Sequence, residues 1–398
     1  MMKVLQVNAT YGLGSTGTIV RELKENCEAN GFDCYVAYAK SSVKFDRGYK
    51  IGNWFFNKLH ALLARIAGKQ AYFSFLPTLM FINFLRKLQP DVVHLHNLHS
   101  FYINLPMLLK YLAKNDIRTI ITLHDCWWYT GGCFHYTAVG CSKWLDNCDN
   151  CPKRYADTQA YLCDKASRVL SDRKKLLLAI PRLTVVGVSE WISNEARKSF
   201  LASKDILTIR NGIDHSIFKP TSSDLRKRLG LTDKYIILGP ASKWLDSKNR
   251  KVLQYFAANM QPDEILLLFG AEKTNVRLPS NVKLFGYTRN KHELAALYTM
   301  ADVFVNCTRE DSLSLINIES QACGTPVVTF DATGPKETVD GKTGFSVTVG
   351  DPQSLYEKVM TLREAADDDF KCRAFVYEEF DKIKNNKNYI HLYAAEYQ

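Results

Sequence analysis

At 398 residues the chain is too long for one ordinary core and fits two domains, and its 46% apolar and 23% charged residues exclude a disordered chain. It opens MMKVLQVNAT without the basic start, apolar stretch and cleavage site of an export signal, and no apolar run approaches the roughly 18–20 residues that cross a bilayer, so a cytoplasmic protein is expected. The formal charge of +11 is lopsided: residues 1–210 hold 28 Lys and Arg against 16 Asp and Glu, the remainder 24 against 25, which leaves anionic lipid, nucleic acid, a phosphate-bearing substrate or a plain solubility effect as its meaning.

The first β-branched run, Val4–Asn8, leads into Gly12-Leu-Gly14-Ser-Thr-Gly17 and a helix expected over Thr18–Asn30. This is a formal dinucleotide fingerprint, in which glycines let backbone amides approach a pyrophosphate at a helix N-terminus. The second strand, Cys34–Tyr38, ends in Lys40-Ser41-Ser42 and lacks the acidic residue that would hold ribose hydroxyls, Asp33 lying at the wrong end. NADP through Lys40 stays formally open. The preferred reading is a glycine loop, with Gly14 and Gly17, giving access to a phosphate or sugar; a tight strand-to-helix turn is the alternative.

Residues 54–88 carry five basic and no acidic side chains amid more bulky apolar residues than one buried face needs. Helices of this composition lie either in a membrane interface or against the core with basic outer faces. No nucleic-acid motif accompanies the charge, so nucleic acid is not an expected partner. Strands at Val92–His96 and Thr119–Leu123 deliver His94, His96, His99 and His124-Asp125 to one edge, where an imidazole can donate to a sugar hydroxyl or phosphate or orient an acceptor. His94 alternates inward and reads as packing.

Cys133, Cys141, Cys148 and Cys151 then fall within 19 residues, and Cys148-Asp-Asn-Cys151 has the bite of a zinc knuckle. Structural zinc is favoured over free thiols, and disulfides rank last in a reducing compartment. The loop, with Trp127, Trp128 and Tyr129 before it, is expected to face the cleft, where it can contact an acceptor. Runs at Thr184–Val188 and Ile206–Arg210 close the first half; a turn-rich stretch follows, read as a linker over 211–222.

The alternation restarts with Tyr235–Gly239, Glu264–Phe269, Val282–Phe285, Val303–Asn306, Pro326–Thr329 and Phe345–Val347. Strands alternating with helices make parallel sheets covered on both faces, and ligands lie beyond their carboxyl ends. Two doubly wound domains are therefore expected, over 1–210 and 223–378, with a last helix over 379–398 packing back on the first. After Tyr235–Gly239 come Lys243 and Lys248, cations on the loop that leaves this strand end. After Val303–Asn306 come Glu310 and Asp311, then a helix starting near Leu313–Leu315. The amides of Ser312, Leu313, Ser314 and Leu315 would face a diphosphate there. Glu319, one turn in, is placed to accept from two vicinal ribose hydroxyls, and Asp311 or Glu310 from sugar hydroxyls.

The stretch from Ala301 to Val328 resembles the paired-acid region of the retaining glycosyltransferases of family 4. So do, in order, Thr184–Trp191, Ile209–Asp214 with Phe218 and Pro220, Phe285-Gly-Tyr, Leu297–Asp302 and Thr343-Gly-Phe345. The resemblance covers nearly the whole chain. It implies the GT-B architecture, two Rossmann-like domains facing across a cleft, with the nucleotide sugar on the C-terminal one. By that resemblance Glu319 holds the ribose, Lys248 and Lys243 the diphosphate, and His124 supports the reacting centre. Strict spacing puts Asp311 rather than a glutamate at the first acidic position, and Asn249 replaces the family's glycine after Lys248. The resemblance further implies catalysis without a cofactor, and a subset with a Cys-rich loop after the His-Asp strand.

The implied reaction moves a hexose with retention from a nucleotide-sugar donor to a saccharide acceptor. If residues 54–88 touch an anionic membrane, that acceptor is lipid-linked and the protein is peripheral on the inner face of the plasma membrane, as in surface-polysaccharide synthesis. An epimerase or phosphorylase on the same fold, or a non-catalytic basic module bound to membrane or nucleic acid, are the competing readings.

Overall fold

The structure, a computed structural model, describes every residue except 343, 366–370 and 396–398. Thr343 of the family pattern and the end of the expected C-terminal helix therefore lie outside the described residues. The chain divides into two compact units, Met1–Ile209 with the described residues from Asn386 onward, and Arg210–Asn385.

The first unit is a seven-stranded parallel sheet: β1 (Lys3–Tyr11), β2 (Asp33–Ser41), β3 (Gly48–Lys50), β4 (Val92–Leu95), β5 (Arg118–Leu123), β6 (Leu183–Gly187) and β7 (Asp205–Thr208). Their order, β3-β2-β1-β4-β5-β6-β7, reverses between β1 and β4, the position where such sheets bind ligands. All six expected strands form. Only β3 was not legible: its three residues, Gly-Tyr-Lys, are too few to show a period, and two are exposed. β4 and β5 are buried at every residue, as central parallel strands covered on both faces must be.

Helix α1 (Gly14–Ala29) begins four residues before the expected start, so Gly17 belongs to its first turn. A Cβ at Gly17 would stand 2.7 Å from Thr10 Oγ1, so close packing of the helix on the strand end requires glycine there. Helices α2 (Trp54–Ala67) and α3 (Phe75–Leu88) follow, α2 capped by Asn53 and closed by Gly68 in the left-handed region. The helix Lys382–Ala394 returns to this unit: Tyr389, Ile390 and Tyr393 pack with Val4, Leu23 and Ile120, and Arg118 Nη1 donates to the Tyr393 carbonyl at 2.6 Å.

The second unit is a six-stranded parallel sheet: β8 (Tyr235–Pro240), β9 (Glu264–Phe269), β10 (Val282–Phe285), β11 (Val303–Asn306), β12 (Val327–Phe330) and β13 (Phe345–Val347). Its order, β10-β9-β8-β11-β12-β13, reverses between β8 and β11. Ile237, Leu266, Val303, Val305 and Val328 form its core with Trp244 and Phe256. The segment 211–222, expected as a linker, lies in this unit. Ile213 pairs with Asp381, and Phe218 is buried with its ring 6.4 Å from that of Tyr298.

Candidate active site

The loops that leave β8 and β11 are side by side, because these strands are neighbours at the reversal of the second sheet. The β8 loop carries Lys243 in a single helical turn and then Lys248, whose amide donates to Asp246 Oδ1 at 2.8 Å. Asn249 explains the missing glycine. Its buried side-chain amide donates to the carbonyls of Lys243 at 3.0 Å and Cys307 at 2.8 Å, so it staples its own loop to the end of β11. Arg309 completes the clamp from the other side, donating through Nε to Asn249 Oδ1 at 2.8 Å and through Nη2 to the Lys248 carbonyl at 2.9 Å. The lysine loop is thereby fixed against the acidic loop before any ligand arrives, which lowers the ordering cost of binding an anion there.

The acidic loop is equally held. Asp311 Oδ1 accepts from the Ser312 amide at 2.8 Å, while the Asp311 carbonyl accepts from Thr333 Oγ1 at 2.7 Å and from the Gly334 amide at 3.1 Å. A Cβ at Gly334 would stand 1.9 Å from the Ser312 carbonyl oxygen, so the turn after β12 can touch the loop only with glycine at that place. The helix Leu315–Ala322 starts immediately after, with Asn306 at the end of β11 donating to Ser314 Oγ at 3.0 Å and to Asn317 Oδ1 at 2.8 Å. Ser312 is buried and its hydroxyl has no hydrogen-bond partner among the described residues. Glu319, half-buried on this helix, accepts from Tyr298 OH at 3.1 Å. Loss of hydration pushes its carboxyl up to about 7, with the Tyr298 hydrogen bond and Lys291 acting weakly against that.

The structure thus gathers Lys243, Lys248, Glu310, Asp311 and the Ser312–Leu315 amides around one strand reversal, with Glu319 one turn along the helix. Three residues there carried no sequence-based role: Arg309, Tyr298 and Thr333. Arg309 was legible as the one cation inside an acidic stretch. Tyr298 and Thr333 meet the site only through the fold.

In the first unit, His124 lies at the carboxyl end of β5, with Nε2 3.0 Å from Nδ1 of His96, and His96 Nε2 is 3.1 Å from Gln6 Oε1. His94 is packing, as its inward alternation indicates: it is fully buried between Tyr393 OH at 2.7 Å and Thr122 Oγ1 at 2.8 Å. His99 Nε2 stands 3.2 Å from Asp125 Oδ2. Burial would raise the Asp125 carboxyl, but His99 and the Trp127 amide outweigh it and hold the group below the usual carboxylate value.

The expectation for Trp127, Trp128 and Tyr129 is overturned. All three are buried to 1% exposure or less. Trp127 Nε1 donates to Gln70 at 2.9 Å beneath the Arg173 guanidinium at 3.9 Å, and Trp128 Nε1 donates to the His96 carbonyl at 3.0 Å. The two indoles satisfy their N–H groups internally, and the three buried rings anchor the following loop. Within that loop Cys133, Cys141, Cys148 and Cys151 line one small pocket, and Cys148 Sγ accepts from the Gly131 amide at 3.3 Å. As arranged, no three His, Cys, Asp or Glu side chains among the described residues are close enough together to hold a metal ion.

Residues 16–217 match the family model described as Glycosyltransferase Family 4, and residues 245–365 match the model Glycosyl transferases group 1. A relative named for colanic acid biosynthesis, glycosyl transferase WcaC of Escherichia coli (strain K12), is 23% identical over 367 residues, 87% of each chain. Sucrose-phosphate synthase from Thermosynechococcus elongatus superposes with a TM-score of 0.71 at 17% identity, covering 100% of this chain and 99% of that one. Alr3699/HepE of Anabaena, in complex with UDP-glucose, gives 0.63 at 16% identity over 99% and 100%. These solved structures share the GT-B fold of two parallel-sheet units.

Proposed function

Because the chain belongs to glycosyltransferase family 4, we propose that it moves a hexose with retention from a nucleotide sugar to a saccharide acceptor in surface-polysaccharide synthesis. One observation carries the reading: the stapled lysine loop and the acidic loop with its helix meet at the β8–β11 reversal, beside a carboxylate suited to ribose. Glu319 accepts from the ribose hydroxyls, and Lys248, Lys243 and the Ser312–Leu315 amides hold the diphosphate. Asp311 or Glu310 takes the sugar hydroxyls. The bond from the anomeric carbon to the diphosphate oxygen breaks with its electron pair going to that oxygen. The acceptor hydroxyl oxygen bonds the same carbon from the same face, and its proton passes to the diphosphate. The lysines favour this step because negative charge grows on the leaving group. A nucleoside diphosphate stabilises the folded chain by mass action, so a thermal-shift screen of UDP, GDP, ADP and CMP is expected to raise the melting temperature with one base. No shift with any nucleotide at millimolar concentration would remove the reading.

The acceptor we propose is lipid-linked, reached from an anionic membrane surface. On α2, Trp54, Phe55, Leu59, Leu62 and Ile66 are 41–72% exposed, and on α3 Phe75, Leu76, Leu79 and Met80 are 45–59% exposed. These stripes repeat at helical spacing with Lys58, Arg65 and Lys69 near them, the pattern of interfacial helices. No helix among the described residues is long and apolar enough to cross a membrane. Co-sedimentation with vesicles containing phosphatidylglycerol should fall about tenfold or more in a Leu62→Glu, Leu79→Glu double variant, and in high salt. Equal binding by variant and parent would exclude these helices as the contact.

We propose structural zinc for the cysteine loop, on the grounds that its four thiols already line one pocket in a segment without long helices or strands. Closure requires the thiols to move from their present spacing. The protein as purified is expected to hold one zinc per chain, lost with its melting temperature lowered in a Cys148→Ser, Cys151→Ser variant. Metal analysis showing none would return the loop to four free thiols.

A further inference from the structure

Resting on the reading of His124 as a residue that meets the reacting sugar, we propose that Gln6 and His96 are positioning residues that hold His124 as its Nε2–H tautomer. Its Nδ1 is then a hydrogen-bond acceptor, built for a neutral sugar hydroxyl and against a carboxylate or phosphate oxygen at that spot.

The assignment starts at a group that cannot change its role. Gln6, fully buried on β1, has its amide nitrogen 3.2 Å from the Val20 carbonyl and 3.4 Å from Cys34 Sγ. A backbone carbonyl only accepts, so the NH2 end of Gln6 must face Val20 and its oxygen must face the other way. That oxygen lies 3.1 Å from His96 Nε2. An amide oxygen also only accepts, so His96 carries its proton on Nε2. His96 is completely buried, and loss of hydration, with His94 and His124 adding to it, holds the ring well below its ordinary pKa and therefore neutral. A neutral imidazole has one donor and one acceptor, so Nδ1 of His96 is a bare lone pair.

His124 Nε2 is 3.0 Å from that lone pair and must be the donor. Burial lowers the His124 ring to about 4, with Asp125 acting the other way and His99 with it, so this ring too is neutral at pH 7. One nitrogen is left. Nδ1 of His124 has no hydrogen-bond partner among the described residues, and the residue is half-buried rather than sealed. The donors run in one direction from His124 through His96 to Gln6, and Gln6 hands on to the helix carbonyl of Val20. The His94 ring lies tilted against that of His96, centroids 4.0 Å apart, but its nitrogens are taken up by Thr122 and Tyr393, so it desolvates this series without joining it.

Long-range proton–nitrogen correlation spectra of the full 15N-labelled chain read imidazole tautomers directly. At pH 7 His96 and His124 are both expected as Nε2–H; His124 found as Nδ1–H or as imidazolium overturns the proposal. His96→Gln keeps an acceptor for His124 and His96→Leu removes it. Turnover should therefore fall about tenfold to hundredfold in His96→Leu, with donor KM nearly unchanged, and recover in His96→Gln, the size expected when one buried hydrogen-bond partner is lost. Equal turnover in both variants would also overturn the proposal. An inactive parent whose two rings are Nε2–H would instead remove the transferase reading and leave the tautomer assignment standing.

Discussion

Lys248→Ala is expected to lower kcat by about 10²–10³-fold, the loss seen when one fixed stabiliser of developing negative charge is removed. The substitution should leave the melting temperature nearly unchanged. Lys248 is solvent-exposed, and what holds its loop is the Asn249 side chain and Arg309, which bind backbone carbonyls rather than the lysine head. Asn249→Ala separates the two effects. It removes the donor to Lys243 and Cys307 and the acceptor for Arg309, so it should cost both stability and turnover. Steady-state kinetics with a thermal melt on each variant checks the pair. Full turnover in Lys248→Ala would exclude this lysine from the diphosphate.

Glu319 is expected to make nucleotide affinity depend on pH. A ribose diol donates two hydrogen bonds, which an ionised carboxylate accepts better than a protonated one. With the free carboxyl at about 7, affinity should rise roughly tenfold from pH 6 to pH 8, and binding at pH 6 should release a proton. The sign for stability is opposite. The raised value means that the folded state holds this proton more tightly than the unfolded chain does. Its stabilising contribution is complete below about 4.5 and is lost as pH rises through about 7. Glu319→Gln should flatten the affinity profile and weaken binding about tenfold to hundredfold at pH 8. Calorimetry in buffers of different ionisation enthalpy measures both effects, and a wild-type profile as flat as that of Glu319→Gln would exclude the carboxylate from the nucleotide contact.

The fold was legible because buried parallel strands must be apolar and are separated by helix-length amphipathic stretches. Val303–Asn306 and Glu264–Phe269 therefore declare themselves to the residue. The start of α1 was not, since glycines at 14 and 17 read as loop until packing on Thr10 shows why one of them lies inside a helix. In the site, charged residues next to strand ends could be listed from their order alone. Their mutual support could not: Asn249 looked like a defect in a pattern, whereas its amide is the link between two loops. Trp127, Trp128 and Tyr129 show the converse. Aromatic residues beside a candidate site histidine suggest contact with an acceptor, yet Gln70 and the His96 carbonyl supply the indole partners from within, and the rings become core.

The most direct measurement is a crystal structure of the chain with the nucleoside diphosphate that stabilises it. The ribose hydroxyls should lie about 2.5–3.0 Å from the Glu319 carboxylate oxygens, with the diphosphate between Lys248 and the amide end of the helix Leu315–Ala322. A nucleotide bound elsewhere in the second unit, with Glu319 still paired only to Tyr298, would contradict the assignment.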